Sequence, residues 1–174
     1  PLGNDHFALI EAGGLIRDPD TIFSHKMLGA SDVAFLQNTA ELEADAHIED
    51  NLLIVDVKVE NILAGHHIPT DSPLRQILLV VEAFDQNGEK LNLYDGPVLP
   101  DWAGDLANDP GKYYAKILEQ LWTELSPTSA YWTQTRILED TRLAAFEIDD
   151  SSFIFEIPEG SKDFTINIKL IYRR

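Results

Sequence analysis

Apolar and polar residues alternate most cleanly just before the middle of the chain. Leu53, Val55, Val57 and Val59 fall on one side of an extended segment and Asp56, Lys58 and Glu60 on the other. A strand turns successive side chains to opposite faces, so this pattern predicts a strand with one buried and one wet face. Residues 76–84 read QILLVVEAF, a nearly unbroken apolar run rich in β-branched residues, and predict a central strand covered on both sides. Asp85-Gln86-Asn87-Gly88 follows, and Asn-Gly accepts the positive φ angles of a tight turn, so residues 90–94 are expected to return as the hairpin partner. Upstream, Phe35 to Glu49 predicts a helical turn and then a strand, with Leu36, Ala40, Leu42, Ala44 and Ala46 hinting at alternation.

Residues 95–111 hold four Asp, three Gly and three Pro and predict a long loop, unusual inside a compact domain. Beyond it, Tyr114, Ile117, Leu118, Leu121 and Leu125 share a helical stripe, with Asp109-Pro110 as a start signal and Ser126-Pro127 as a stop. This predicts a helix over 112–125. Near the C-terminus Phe153, Phe155 and Ile157 alternate, as do Phe164, Ile166, Ile168, Leu170 and Tyr172, and Pro158-Glu159-Gly160-Ser161 reads as the turn of a hairpin between them. Many short strands with one helix describe a mainly β protein: an immunoglobulin-like antiparallel β-sandwich with one inserted α-helix at about 112–125.

The chain's 174 residues suffice for one full core but not for two domains. Residues 1–3, Pro-Leu-Gly, read as the remnant of a cleaved expression tag, residues 4–34 as a lead-in segment of short apolar pieces such as Phe7-Ala8-Leu9-Ile10, and residues 35–174 as the sandwich. The chain as a whole reads as a piece of a larger polypeptide. A net charge of -17, from 30 acidic and 13 basic residues, repels phosphate backbones and argues against nucleic-acid partners. No run approaches the roughly 18 apolar residues of a membrane helix, so no membrane insertion is expected. Cysteine is absent, which removes disulfides, thiolate sites and the Cys-x-x-Cys-His attachment of c-type haem. Neither a Gly-x-Ser-x-Gly elbow, a His-Glu-x-x-His helix nor a Gly-rich phosphate loop occurs, so no enzyme activity is expected.

Three stretches are familiar in combination: SHKMLG at 24–29, VENILAGHHIPTDSPLR at 59–75, and YAKIL at 114–118 with DTR at 140–142, closed by IYRR. Together they resemble the haem-free C-terminal β-sandwich domain of bacterial multihaem c-type cytochromes, over roughly Ser24 to Arg174. The Gly-His-x-x-Pro-Thr corner is the most specific part, followed by Asp-Thr-Arg ahead of a Phe-Glu pair. The family usually places Gly after Pro-Thr, where this chain has Asp71. The resemblance implies a non-catalytic accessory domain, periplasmic or at the cell surface. It would dock on a haem-bearing module of the same polypeptide or complex, with haem c in that module and none bound covalently here. It further implies that His25, in Ser24-His25, reaches a neighbouring haem as a distal axial ligand, a role neutral imidazole fills well. A lone histidine reads equally as a surface or packing residue.

His66 and His67 stand where the chain must turn before Pro69, and adjacent residues point apart, so they do not chelate one ion together. One reading is a haem-edge or metal site made by His66 with Asp71, Asp140 and Glu147. The other is a buried polar corner in which His66 hydrogen-bonds a carboxylate such as Asp140. An enzyme built on His66 and Asp140 has the least support. A calcium ion is conceivable on the Asp-rich loop through Asp95, Asp101, Asp105 and Asp109, whereas Asp85-x-Asn87-Gly88-Glu89 fits a hairpin turn better than a calcium loop. Tyr113, Tyr114, Trp122, Tyr131, Trp132 and Trp102 concentrate aromatics in mid-chain. They are expected mostly to pack the inserted helix, and otherwise to form a stacking platform for carbohydrate or a face against a haem module. An independent module binding calcium or carbohydrate is the alternative to the accessory domain.

Overall fold

A computed structural model describes Asp18 and residues 29–70 and 72–173. The chain divides into two units, residues 1–35 and residues 36–174, and the second holds both sheets. After a 3-10 turn at Gly29–Ser31, the short helix α1 (Val33–Gln37) leads to eight strands: β1 (Ala40–Glu49), β2 (Leu52–Asn61), β3 (Gln76–Asp85), β4 (Leu93–Asp95), β5 (Gly111–Gln120), β6 (Thr135–Asp140), β7 (Ile148–Glu156) and β8 (Phe164–Arg173). They form two four-stranded antiparallel sheets, ordered β1-β2-β7-β4 and β6-β5-β3-β8. This is the expected β-sandwich.

The core lies between the sheets. Leu53, Val55, Val57 and Val59 of β2 and Phe153 and Phe155 of β7 face Ile77, Leu79, Val81 and Ala83 of β3 and Tyr114 of β5. The alternate β3 residues Leu78 and Val80 point the other way and are buried as well. They lie beneath the segment between β4 and β5, whose 3-10 stretch Asp101–Leu106 sets Leu99 and Ala103, with Trp102 and Leu106, over the outer face of the second sheet. β3 therefore reads as a continuous apolar run because it has two covers, a sheet on one side and a loop on the other. Arg173 pins that loop. Its guanidinium donates to the carbonyls of Ala103 at 2.7 Å and Trp102 at 3.1 Å, and its carbon lies 5.8 Å from the Trp102 ring centre.

Three expectations are corrected. The helix over 112–125 is instead β5 and a loop. β5 is buried on both faces, with Tyr114 on the core side opposite Ile77 and Tyr113 under the 99–106 loop opposite Leu78, so apolar residues fall at consecutive positions and lose the period of two. Ile117 and Leu118 likewise fall on opposite faces, the extra residue of the β5–β6 register shift being Leu138 of β6, and with Leu121 and Leu125 beyond the strand they mimic the i, i+3, i+4 spacing of a helix. The turn at 85–88 forms as expected, with Asp85 accepting from the backbone N–H groups of Asn87 at 2.8 Å and Glu89 at 2.9 Å. Those bonds, that from Glu89 foremost, hold the Asp85 carboxyl below its ordinary range. Yet only Lys90 returns to pair, with Phe84, before the chain crosses so that Leu93–Asp95 joins β7 in the other sheet. Likewise β7 and β8 are not a hairpin. The Pro158–Ser161 turn carries the chain from one sheet to the other, where β8 pairs with β3.

Candidate functional site

Continuing the buried face of β2 by one more alternation reaches Asn61, a polar residue with no exposed surface. A buried amide must find partners, and Asn61 finds them on two segments. Its Nδ2 donates to the carbonyls of His66 at 2.9 Å and Ala144 at 2.9 Å, with Leu143 at 3.3 Å, and its Oδ1 accepts from the Ala64 N–H at 3.1 Å. Its backbone is paired too, N–H to the Glu147 carbonyl and C=O from the Phe146 N–H. Alongside, Ile68 and Leu143 exchange both backbone hydrogen bonds, at 2.9 and 3.0 Å. Asn61 thus ties the Gly65–Thr70 corner to the segment of Asp140, Arg142 and Glu147. The two motifs most specific in the sequence meet at one buried side chain.

The candidate side chains around this junction are arranged differently from the expected polar corner. Asp140 is held by Arg142 in a two-point fork, Nε and Nη2 each at 2.7 Å. This fork depresses the Asp140 carboxyl, and the charge of His67, not His66, adds to the effect. The exposed His66 instead sets Nδ1 3.0 Å from the His67 carbonyl oxygen, so the expected hydrogen bond to Asp140 is not made. A shared His66–Asp140 pair is thereby absent. Glu147 accepts the Ala144 N–H at 2.6 Å and closes its own turn. Thr70 accepts from Arg75 at 2.7 Å. His25 and Asp71 lie outside the described residues. Among the described residues, no three His, Asp or Glu side chains converge as a metal ion would require.

The Asp-rich loop is structural in its visible roles. Asp109 takes the Lys90 ammonium at 2.8 Å, and Lys90 also reaches Glu82 at 3.1 Å, which raises the Lys90 pKa with Asp109 the larger cause. Trp102 meets Tyr113 edge to face at 4.8 Å. Burial, and then the hydrogen bond its hydroxyl donates to Glu139, push Tyr113 up to about 12. A raised folded-state pKa means that this contribution is complete below the free phenol's pKa of about 10 and is lost as pH rises from there towards 12. Ultraviolet titration of the phenolates should accordingly lose one late-ionising group in Tyr113→Phe, and the parent's stability should fall across that window more steeply than the variant's.

The aromatics divide in a way that the sequence reading does not anticipate. Tyr114 is core, its hydroxyl bonded to Asp149 at 2.8 Å. Trp122, Tyr131 and Trp132, expected largely to pack a helix, stand at the tip of the β5–β6 hairpin with relative exposures of 85%, 93% and 74%. The Leu121 N–H to Gln134 carbonyl bond, at 3.0 Å, brings the two arms of the tip together, and Tyr131 and Trp132 meet edge to face at 5.1 Å with planes 82° apart. Leu121 and Leu125 are exposed beside them. Large rings open to water on one loop are exposed apolar surface of the kind that marks interaction sites, and here Tyr131 and Trp132 also touch each other. Their crossed planes suit anchors entering pockets of a protein better than a flat platform for a sugar ring.

No family model and no curated protein matches the chain. Among solved structures, its fold is similar to that of a penta-heme cytochrome c552 from Thermochromatium tepidum, with a TM-score of 0.56 and 22% identity over 79% of this chain. The matched region covers 33% of that cytochrome, so the chain spans about a third of its length.

Proposed function

We propose that this chain is a haem-free accessory domain that docks on the haem-bearing module of an extracytoplasmic multihaem cytochrome, the haems of that module carrying the electron transfer. The observation that carries this reading is the fold shared with one third of a penta-heme cytochrome by a chain that has no cysteine to anchor haem c. Two features support it. The aromatic tip gives the domain rigid, desolvatable anchors for a protein surface. At the corner, an imidazole that donates Nδ1–H to a carbonyl keeps Nε2 as its free ligand atom, so exposed His66 has the chemistry of an axial ligand to an iron beyond this chain. His25, in the lead-in segment, is the other candidate ligand. A bound haem would supply the redox chemistry; this chain would supply contact surface and an imidazole.

The test is made in cells that produce the protein naturally. An antibody to this chain should capture a species that stains for covalent haem. In that species His25→Ala or His66→Ala should alter the absorption or magnetic resonance spectrum of a single haem, and alanine at both Trp122 and Trp132 should loosen docking without lowering the domain's melting temperature. Capture of a species free of haem would sink the accessory reading. Unchanged spectra in both histidine variants would remove only the ligand role.

A further inference from the structure

β1 is the edge strand of its sheet, and among the described residues no strand pairs with its far side. Nine of its ten residues are exposed. Pairing with β2 puts Leu42, Ala44, Ala46 and Ile48 opposite Val59, Val57, Val55 and Leu53, on the face that the sandwich buries. Those β2 partners are almost fully buried, whereas Leu42 and Ile48 keep 36% and 57% of their surface in water. The second sheet evidently stops short of β1. The opposite row of β1 is Glu41, Glu43, Asp45, His47 and Glu49. With Asp56 and Asp150, residues of this row line a shallow acidic concavity in which the cation is Lys58, held by Glu43 at 3.1 Å and Glu60 at 3.3 Å.

An open edge with one apolar and one acidic row specifies what can complete it. We propose that β1 accepts an extended segment of a partner protein whose residues alternate Lys or Arg with aliphatic side chains, added antiparallel as a fifth strand. Main-chain hydrogen bonds along the edge would supply affinity, the aliphatic residues would cover Leu42 to Ile48, and the cations would neutralise the acidic row. A second copy of this chain does not fit. Antiparallel pairing of β1 with itself, in the register that keeps its two rows apart, sets Glu41 against Glu49 and Asp45 against Asp45, and like charges across a strand pair repel. The inference stands apart from the cytochrome reading and needs no haem.

The test uses the whole chain with amide exchange and isotope-resolved spectra, and three ten-residue peptides matched to β1 that alternate Lys with Val, Glu with Val, and Lys with Ser. The Lys/Val peptide should bind and slow exchange at residues 40–49, about tenfold tighter than either control, because both rows must be satisfied. Charge reversal by Glu43→Lys with Asp45→Lys should invert the preference towards Glu/Val. The same reversal at the exposed Glu159 and Asp163 should leave it unchanged. Equal binding of Lys/Ser, protection elsewhere, a dimer protected along β1, or β1 amides already protected without peptide would each overturn the proposal.

Discussion

Replacing Asn61 by leucine is expected to cost about 3 to 5 kcal/mol of folding free energy, although leucine is the more hydrophobic residue and the site is fully buried. The change strands the carbonyl of His66 and the N–H of Ala64 at a junction that Asn61 itself fills, and takes one of two partners from the carbonyls of Leu143 and Ala144, which keep the Ile68 and Glu147 N–H groups. Each buried polar group left without a partner costs about 1 to 3 kcal/mol, and those nearest the surface regain water, which brings the total below the plain sum. At about 2 to 4 °C per kcal/mol for a domain of this size, the midpoint of thermal unfolding should fall by about 6 to 20 °C. Denaturant titration should show a lower midpoint with an unchanged slope, since the surface exposed on unfolding is the same. Asn61→Asp sharpens the test. A carboxylate facing three carbonyl oxygens is repelled, so its folded-state pKa must lie above the unfolded value of about 3.9. A raised folded pKa makes stability fall as pH rises through and beyond that value, so this variant should lose ground to the parent between acid and neutral pH. A loss below about 1 kcal/mol for Asn61→Leu would mean that the two motifs are not joined through this amide.

The position of Asn61 was legible in the sequence, its role less so. Leu53, Val55, Val57 and Val59 mark a buried face, and one further step of two lands on Asn61, so a buried polar group could be foreseen there. What it would bind could not, because two of its partners lie 82 and 83 positions away in a segment with no periodic signal. Attention goes instead to His66 and His67, which carry familiar chemistry but sit in water, the first against its neighbour's carbonyl. The strands with a single buried face, β2 and β8, read directly from alternation. β5 did not, because a strand covered on both sides has no period of two to display. The same misreading hid the aromatic tip: Trp122 fits a helical stripe only if the helix exists, and without it the ring is 85% exposed. Strand-to-strand connections escaped for a related reason. A turn sequence such as Asp85 to Gly88 fixes local geometry, but whether the chain then pairs with its neighbour or crosses to the other sheet depends on which edge is free.

Two glycines should respond oppositely to alanine, and the prominent one is expected to be the less important. Gly65 opens the Gly-His-His corner, yet a Cβ added there meets nothing within 4 Å and its φ lies outside the left-handed range. Gly65→Ala should therefore change stability by no more than about 0.5 kcal/mol. Gly111 begins β5 in an unremarkable stretch, but a Cβ there would run into the carbonyl oxygen of Leu79 and come within 3.0 Å of the Leu99 side chain. The first obstacle is backbone of the central strand and cannot rotate away. Gly111 pairs with Val80, its N–H bonds the Pro97 carbonyl, and Pro110 beside it accepts the Val81 N–H, so relieving the collision must part β3 from β5 or lift the loop that covers Leu78 and Val80. Overpacking of this kind costs about 1 to 3 kcal/mol where side chains can yield, and the rigid partner here puts the expectation at about 3 kcal/mol or more. Amide exchange would separate the routes. Lifting of the loop speeds exchange at Leu99, Ala103 and Gly111 while β2 and β7 stay protected; parting of the strands speeds it throughout the second sheet. A Gly111→Ala protein as stable as its parent would show that β3 and β5 do not approach as closely as the packing of Leu79 against Gly111 requires.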